Sequence, residues 1–352
     1  MFGAAEDVFE RPALHHLTAI HDDNFLGDVG DNAEVVGDQQ HRHAEFVPQV
    51  DHQPQNLRLD RHIERGRRLV GESGCGKTTL SKLLLRAVAP DSGEITFNDH
   101  GRVIDVLSLE GEDLKQFRRQ VQFVFQDPFG SLNPRMTVYD IIEEPLIIHG
   151  IGDQRSRREM VHELVTLVGL DLRHVKRYPH SFSGGQRQRI GIARSLALRP
   201  GLVICDEPTS ALDVSIQAQI LNLLMDLKQK LALTYLFISH NLAVVDYIAD
   251  RIAVMCAGRI VEIADRAMLF RNPVHPYTQA LLAAVPKPDP AHRLDFNQLL
   301  ADKASDPAAW PEPFRRDPVN PPRLIEIAEG HCVEASAPPV VLPGWAASRV
   351  RA

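Results

Sequence analysis

The sequence predicts an α/β protein, a mostly parallel sheet covered by helices. Three observations lead there. Short apolar runs at residues 121–125, 202–205, 235–238 and 252–255 read as buried strands. Segments of helical period, 156–168 and 214–230, lie between them, and strands alternating with helices favour parallel pairing. Finally, Gly71-Glu-Ser-Gly-Cys-Gly-Lys-Thr78 follows the apolar pair Leu69-Val70 and precedes a leucine-rich segment (Leu80, Leu83, Leu84, Leu85). That is the strand, loop and helix order a phosphate-binding loop requires.

The 352 residues suffice for about two domains, and the chain divides by texture. Residues 1–70 are poorly patterned and hold seven of the sixteen histidines; 71–285 read as the globular α/β part; 286–352 are rich in Pro and Ala and read as an extended tail with little core. A net charge of -7 speaks against a nucleic-acid binder. Four widely spaced cysteines form no C-x-x-C pair, which argues against a disulfide framework and suits a reducing compartment. No apolar run approaches a membrane span, and the acidic N-terminus lacks the features of a secretory signal.

In the phosphate loop, Gly71, Ser73, Gly74, Cys75 and Gly76 offer backbone N–H groups to phosphate oxygens, at the start of a helix expected near Lys77. Lys77 would reach the β- and γ-phosphates, Thr78 would ligate Mg²⁺, and Thr79 completes the site. The run Leu202-Val-Ile-Cys-Asp206-Glu207 would deliver two carboxylates. Asp206 suits the metal and Glu207 the general base that polarises a water. The plainer reading is a strand ending in a solvated acidic turn, which the upstream loop disfavours. Ser181-Phe-Ser-Gly-Gly-Gln-Arg-Gln-Arg189 opens a further helix, with Ser183, Gly184, Gly185 and Gln186 as a second anion-binding start or a plain N-cap. Gln126 and His240 complete the set.

In these residues the sequence resembles the ATP-binding subunits of ABC transporters, from residue 71 to about 285. The resemblance implies an ABC-type P-loop NTPase, with ATP and Mg²⁺ as cofactors and a helical subdomain at about 127–200. It makes Gln126 a metal ligand that couples to the membrane partner, places His240 against the γ-phosphate, and closes Ser183, Gly184, Gly185 and Gln186 over ATP held by a second ATPase subunit. The partners it implies are permease subunits at the cytoplasmic face of the inner membrane and, indirectly, a solute-binding protein, with no nucleic acid. Gln126-Asp-Pro-Phe-Gly-Ser-Leu-Asn-Pro-Arg135 and Asn272-Pro-Val-His-Pro-Tyr-Thr-Gln-Ala-Leu-Leu282 look like the oligopeptide/dipeptide importer branch. The stretch 136–148 reads equally as permease-facing surface or as core helix. Only Gly330-His-Cys332-Val echoes a cysteine-bearing stretch of that branch, so a metal cluster is not expected there.

The first 70 residues depart from the family, which begins with a β-rich stretch and an aromatic that stacks on adenine. They contain no Tyr, and Phe2, Phe9, Phe25 and Phe46 lie in no recognisable strand. Read backward from Val70 to Asn56 and set beside Asp206 forward to Ile220, the two residues at every position can be encoded by reverse-complementary codons. Residues from about 14 to 70 are therefore read as an antisense translation of a related ATPase. This predicts a phosphate-loop strand short of neighbours and a base without its stacking partner. Sequencing the complementary strand upstream of codon 71 tests it: a segment resembling residues 206–240 is expected there. The other readings are a rearranged subunit without ATPase activity, and a soluble ATPase of the same family acting on nucleic acid or ribosomes.

Overall fold

The computed structural model describes residues 57–60, 67–99, 102–284, 304–317 and 321–339, with 57–60 and 67 described by backbone alone. All lie in the unit spanning 48–352. The segment read as antisense lies outside the described residues except at 57–60 and 67–70.

The predicted apolar runs form the centre of one twisted sheet. In spatial order, β5 (Val121–Val124), β6 (Leu202–Asp206), β7 (Thr234–Ser239), β2 (Arg67–Val70) and β8 (Arg251–Cys256) run parallel. Three antiparallel strands extend it beyond β8: β9 (Arg259–Asp265), β11 (His331–Ala335) and β10 (Arg323–Ala328). A second sheet joins β1 (Leu57–Asp60), β3 (Ile95–Asp99) and β4 (Arg102–Asp105).

The strand before the phosphate loop corrects the expectation drawn from the sequence. It is not short of neighbours: Leu69 pairs with Ile238 of β7 on one side and with Ala253 of β8 on the other. Ladder pairing uses backbone groups, which every non-proline residue carries. A four-residue strand with only Leu69 and Val70 apolar can therefore seat without a period-2 pattern. For the same reason β1 pairs with β3 although nothing in the sequence marked it.

Helices cover the sheet. α1 (Lys77–Leu84) follows Gly76, whose φ of 101° is left-handed and therefore suits glycine. α2 (Gly111–Gln120) leads directly into β5. α3 (Val138–Ile148) begins with a capping box in which Asp140 N–H donates to Thr137 Oγ1 and Thr137 N–H donates to the Asp140 carboxylate. It packs with α4 (Gln154–Leu167) and α5 (Gly184–Leu196) around Ile141, Ile142, Leu146, Val161, Val165 and Ile190. The core-helix reading of 136–148 holds for Ile141, Ile142 and Leu146, which are buried; Ile147 and Ile148 are 49% and 43% exposed. α6 (Val214–Leu231) crosses from β6 to β7, and α7 (Leu242–Ile248) from β7 to β8. The short α8 (Arg266–Arg271) and α9 (Pro276–Ala283) follow β9.

Among the described C-terminal residues, 304–317 and 321–339 do not form an extended tail with little core. Trp310, Phe314, Val333 and Ala335 are buried in one cluster with Tyr277, Val254 and Val261. Isolated aromatics among prolines carry no periodicity, so the sequence gives no sign of their burial. Polar groups follow them inside. Glu334 is ion-paired to both Arg316 (3.0 Å) and Arg259 (2.9 Å). Burial pushes its carboxyl upward, and the two guanidinium groups oppose that shift.

His275 is fully buried, edge-on to Trp310 at 4.5 Å, and its Nδ1 accepts from Tyr277 N–H. Burial, with a smaller contribution from Arg316, pushes its imidazole down to about 3. The lowered value means the folded chain keeps His275 neutral while the unfolded chain protonates it. Stability is therefore complete above the unfolded value of about 6.5 and is lost as pH falls toward 3. Urea unfolding between pH 7 and pH 5 is expected to show a slope approaching about 1.4 kcal/mol per pH unit from this group. His275→Gln should flatten that slope; an unchanged slope would assign the acid sensitivity elsewhere.

Candidate active site

Strands β5, β6, β7 and β2 lie side by side and parallel, so their carboxyl ends share one edge of the sheet. Such an edge is where open α/β sheets bind ligands. Each strand hands on one motif. Gln126 stands two residues beyond β5, Asp206 and Glu207 at the end of β6, His240 just past β7, and the phosphate loop follows β2.

The loop is packed tightly from below. A Cβ on Gly71 would collide with the Met255 carbonyl oxygen and stand 2.8 Å from Cys75 Sγ, so the close approach requires glycine. Ser73, Gly74, Thr78 and Thr79 are exposed, Gly76 is half-buried, and Cys75 and Lys77 are buried. Lys77 Nζ donates to Gly71 O at 2.9 Å and Glu72 O at 2.7 Å, and reaches Cys75 Sγ at 3.7 Å. Burial pushes the Cys75 thiol up, against the pull of Lys77. Cys75 thus acts as packing beneath the loop. All four cysteines are free.

The carboxylates occupy different environments. Asp206 is buried and its carboxyl is pushed up, chiefly by desolvation and against a hydrogen bond from Thr78. Its Oδ1 has no hydrogen-bond partner. Glu207 has φ 43°, a left-handed backbone that side chains adopt at a cost of about 1–2 kcal/mol. Its N–H donates to Ile238 O of β7, which holds the turn. Glu207 Oε1 lies 2.8 Å from His240 Nδ1, and Oε2 accepts from Gln126 Nε2 at 3.1 Å. Three residues drawn from the ends of β5, β6 and β7 therefore meet at one carboxylate.

Ser183, Gly184, Gly185 and Gln186 are placed differently. Ser183 Oγ accepts from Gln186 N–H and the Gln186 side chain accepts from Ser183 N–H, a capping box at the start of α5. A Cβ on Gly185 would stand 2.5 Å from Ile216 Cγ2, so α5 and α6 approach closely there. Among the described residues no hydrogen bond joins this segment to the phosphate loop. The structure thus brings together four of the predicted elements and leaves this one outside.

Comparison with known proteins follows the same elements. Residues 54–210 match the family model described as ABC transporter, and residues 261–330 that of the oligopeptide/dipeptide transporter C-terminal region. A peptide import ATP-binding protein of Brucella ovis is 49% identical over 273 residues, covering 75% of this chain and 84% of that protein. The chain belongs to the ABC transporter family. The oligopeptide transport ATP-binding protein OppF of Bacillus subtilis is 54% identical over 244 residues, 68% of this chain and 77% of that protein. The dimeric ATP-binding cassette MJ0796, bound to ADP and Pi, aligns with TM-score 0.51 at 29% identity, covering 57% of this chain and 85% of that one. The fold is thus an ABC-type P-loop NTPase and the chain an ABC ATPase subunit. The family match begins at residue 54, ahead of the 71 at which the sequence resemblance was legible. Among the described residues no helix is long and apolar enough to cross a membrane, and no three His, Cys, Asp or Glu cluster as a metal site would need. Tyr277, noted in the sequence only within its subfamily stretch, touches the phosphate loop, a contact that no sequence spacing announces.

Proposed function

We propose that this chain binds and hydrolyses ATP to energise the import of peptides or related small solutes. It would sit at the cytoplasmic face of the inner membrane, against permease subunits and a second ATPase subunit, with a solute-binding protein acting indirectly. The observation that carries the chemistry is the meeting of Gln126, Glu207 and His240 on one carboxylate beside the phosphate loop. The peptide substrate rests on relatives named for peptide import and on the C-terminal region shared with oligopeptide/dipeptide transporters.

The loop N–H groups of Gly71, Ser73, Gly74, Cys75 and Gly76 would cradle the phosphates, with Thr78 and Thr79 at the helix start. Lys77 has three N–H donors. Two are satisfied by loop carbonyls, and a phosphate oxygen would displace the weak Cys75 Sγ contact from the third. Mg²⁺ fits an all-oxygen donor set: Thr78 hydroxyl, Gln126 carbonyl and the orphaned Asp206 Oδ1. When bound, it offsets phosphate charge. Hydrogen bonds to both oxygens orient Glu207, and each oxygen keeps a second lone pair to accept a proton from attacking water. Ser183, Gly184, Gly185 and Gln186 would close on ATP held by the opposite subunit, consistent with their separation from this chain's own loop.

Mg-ATP binding by the full chain tests the reading. Lys77→Ala removes a charged hydrogen bond and should weaken binding roughly tenfold or more. Equal affinity in both chains would overturn the assignment.

A further inference from the structure

The phosphate loop is gripped by the C-terminal region, at a point that also holds Lys77. Glu72 N–H donates to Tyr277 Oη at 3.1 Å, across 205 residues of sequence. Glu72 O in turn accepts from Lys77 Nζ at 2.7 Å. The residue whose carbonyl places the ammonium is therefore itself placed by Tyr277. A second grip comes from Ser305, whose hydroxyl proton is shared between the two Glu72 carboxylate oxygens, each at 2.8 Å.

The groups that hold Glu72 are themselves held. Tyr277 is 1% exposed, at the start of α9, and its ring lies against Trp310 at 6.4 Å. Trp310 Nε1–H donates to Ala304 O at 2.7 Å, directly before Ser305. Arg316 stacks over Trp310 at 5.2 Å and donates to Cys256 O and Ala257 O. The adjoining Gly258 N–H donates to Cys75 O at 3.0 Å, so the far side of the loop is tied to the same assembly. A loop with glycines at 71, 74 and 76 has little stiffness of its own, because glycine leaves the backbone freest. Its geometry must be imposed from outside.

We propose that Tyr277 is a positioning residue for the phosphate loop, acting through Glu72 on Lys77, and that the C-terminal region thereby sets nucleotide affinity. The proposal rests on residues 71–78 being the nucleotide site. It gives a role to a part of the chain that the chemistry of hydrolysis does not otherwise use.

Tyr277→Phe tests it in the full chain, since the ring and its packing on Trp310 stay and only the hydroxyl goes. Losing one hydrogen bond at a part-buried N–H should weaken Mg-ATP binding about fivefold. Amide exchange in the peptide covering 71–79 should quicken, while that covering 138–148 stays unchanged. Ser305→Ala, at an exposed pair, should change affinity less than about twofold. Tyr277→Phe with wild-type affinity and wild-type loop exchange, but a lowered melting temperature, would overturn the proposal and leave Tyr277 a packing residue. Mg-ATP binding that is the same in wild type and Lys77→Ala would instead overturn the nucleotide site itself, and the positioning role with it.

Discussion

Glu207→Gln is expected to retain ATP and lose turnover by a hundredfold or more. The substitution keeps the size of the side chain, and its amide can keep both contacts that orient it: the oxygen accepts from Gln126 Nε2, and the NH2 donates to His240 Nδ1 in the tautomer that leaves Nδ1 unprotonated. It removes the one property a general base needs, a carboxylate that takes a proton from water, which contributes about 10²–10⁴ in rate. The left-handed backbone at residue 207 and its N–H bond to Ile238 O are unaffected, so the loop should keep its shape. Single-turnover phosphate release, measured beside equilibrium ATP binding, separates the two effects. Turnover within tenfold of wild type would mean that another group accepts the proton.

Arg68→Met is expected to stabilise the protein. Arg68 is fully buried in β2, the strand between β7 and β8, and Nε and both terminal nitrogens lack hydrogen-bond partners. Among the described residues, the Phe237 ring lies 4.4 Å from its guanidinium. Of the groups that favour its charge, Asp250 is already paired with Lys228 at 2.6 Å. Burial pushes the guanidinium down to about 9, which leaves it charged at neutral pH. Replacing buried ionic groups by apolar side chains of similar volume is often neutral or stabilising by about 1–4 kcal/mol, and a cation without hydrogen-bond partners is expected at the stabilising end. In a domain of this size that raises the melting temperature by several degrees. A fall in melting temperature would mean that the contact with Phe237 outweighs the lost hydration.

An apolar residue is the expectation at the centre of a parallel sheet covered on both faces, and Arg68, beside the buried Leu69 and Val70, departs from it.

Much of the site was legible because its chemistry is local in sequence. The glycine spacing at 71–76, the apolar run into Asp206 and Glu207, and the Ser183 capping segment each declare themselves within ten residues. Their order along the chain also implies their neighbours, since parallel strands joined by helices bring successive carboxyl ends to one edge. The predicted runs 121–125, 202–205, 235–238 and 252–255 became β5, β6, β7 and β8 with ends shifted by one residue or so.

What the tertiary structure alone decided lies in contacts between distant segments with no periodic pattern. The seating of β2 between two neighbours depends on backbone groups that are the same in every residue. The burial of Trp310 and Phe314 depends on where the chain returns after 284, not on the prolines around them. The convergence of Gln126 and His240 on Glu207 joins residues 81 and 33 positions apart, and the hold of Tyr277 on Glu72 spans 205. By itself the sequence determined which groups are the candidates for the chemistry, because phosphate, metal and base each demand particular residue types at short spacing. The fold determined what holds those groups in place, because a hydrogen bond between segments that far apart exists only once the sheet has formed.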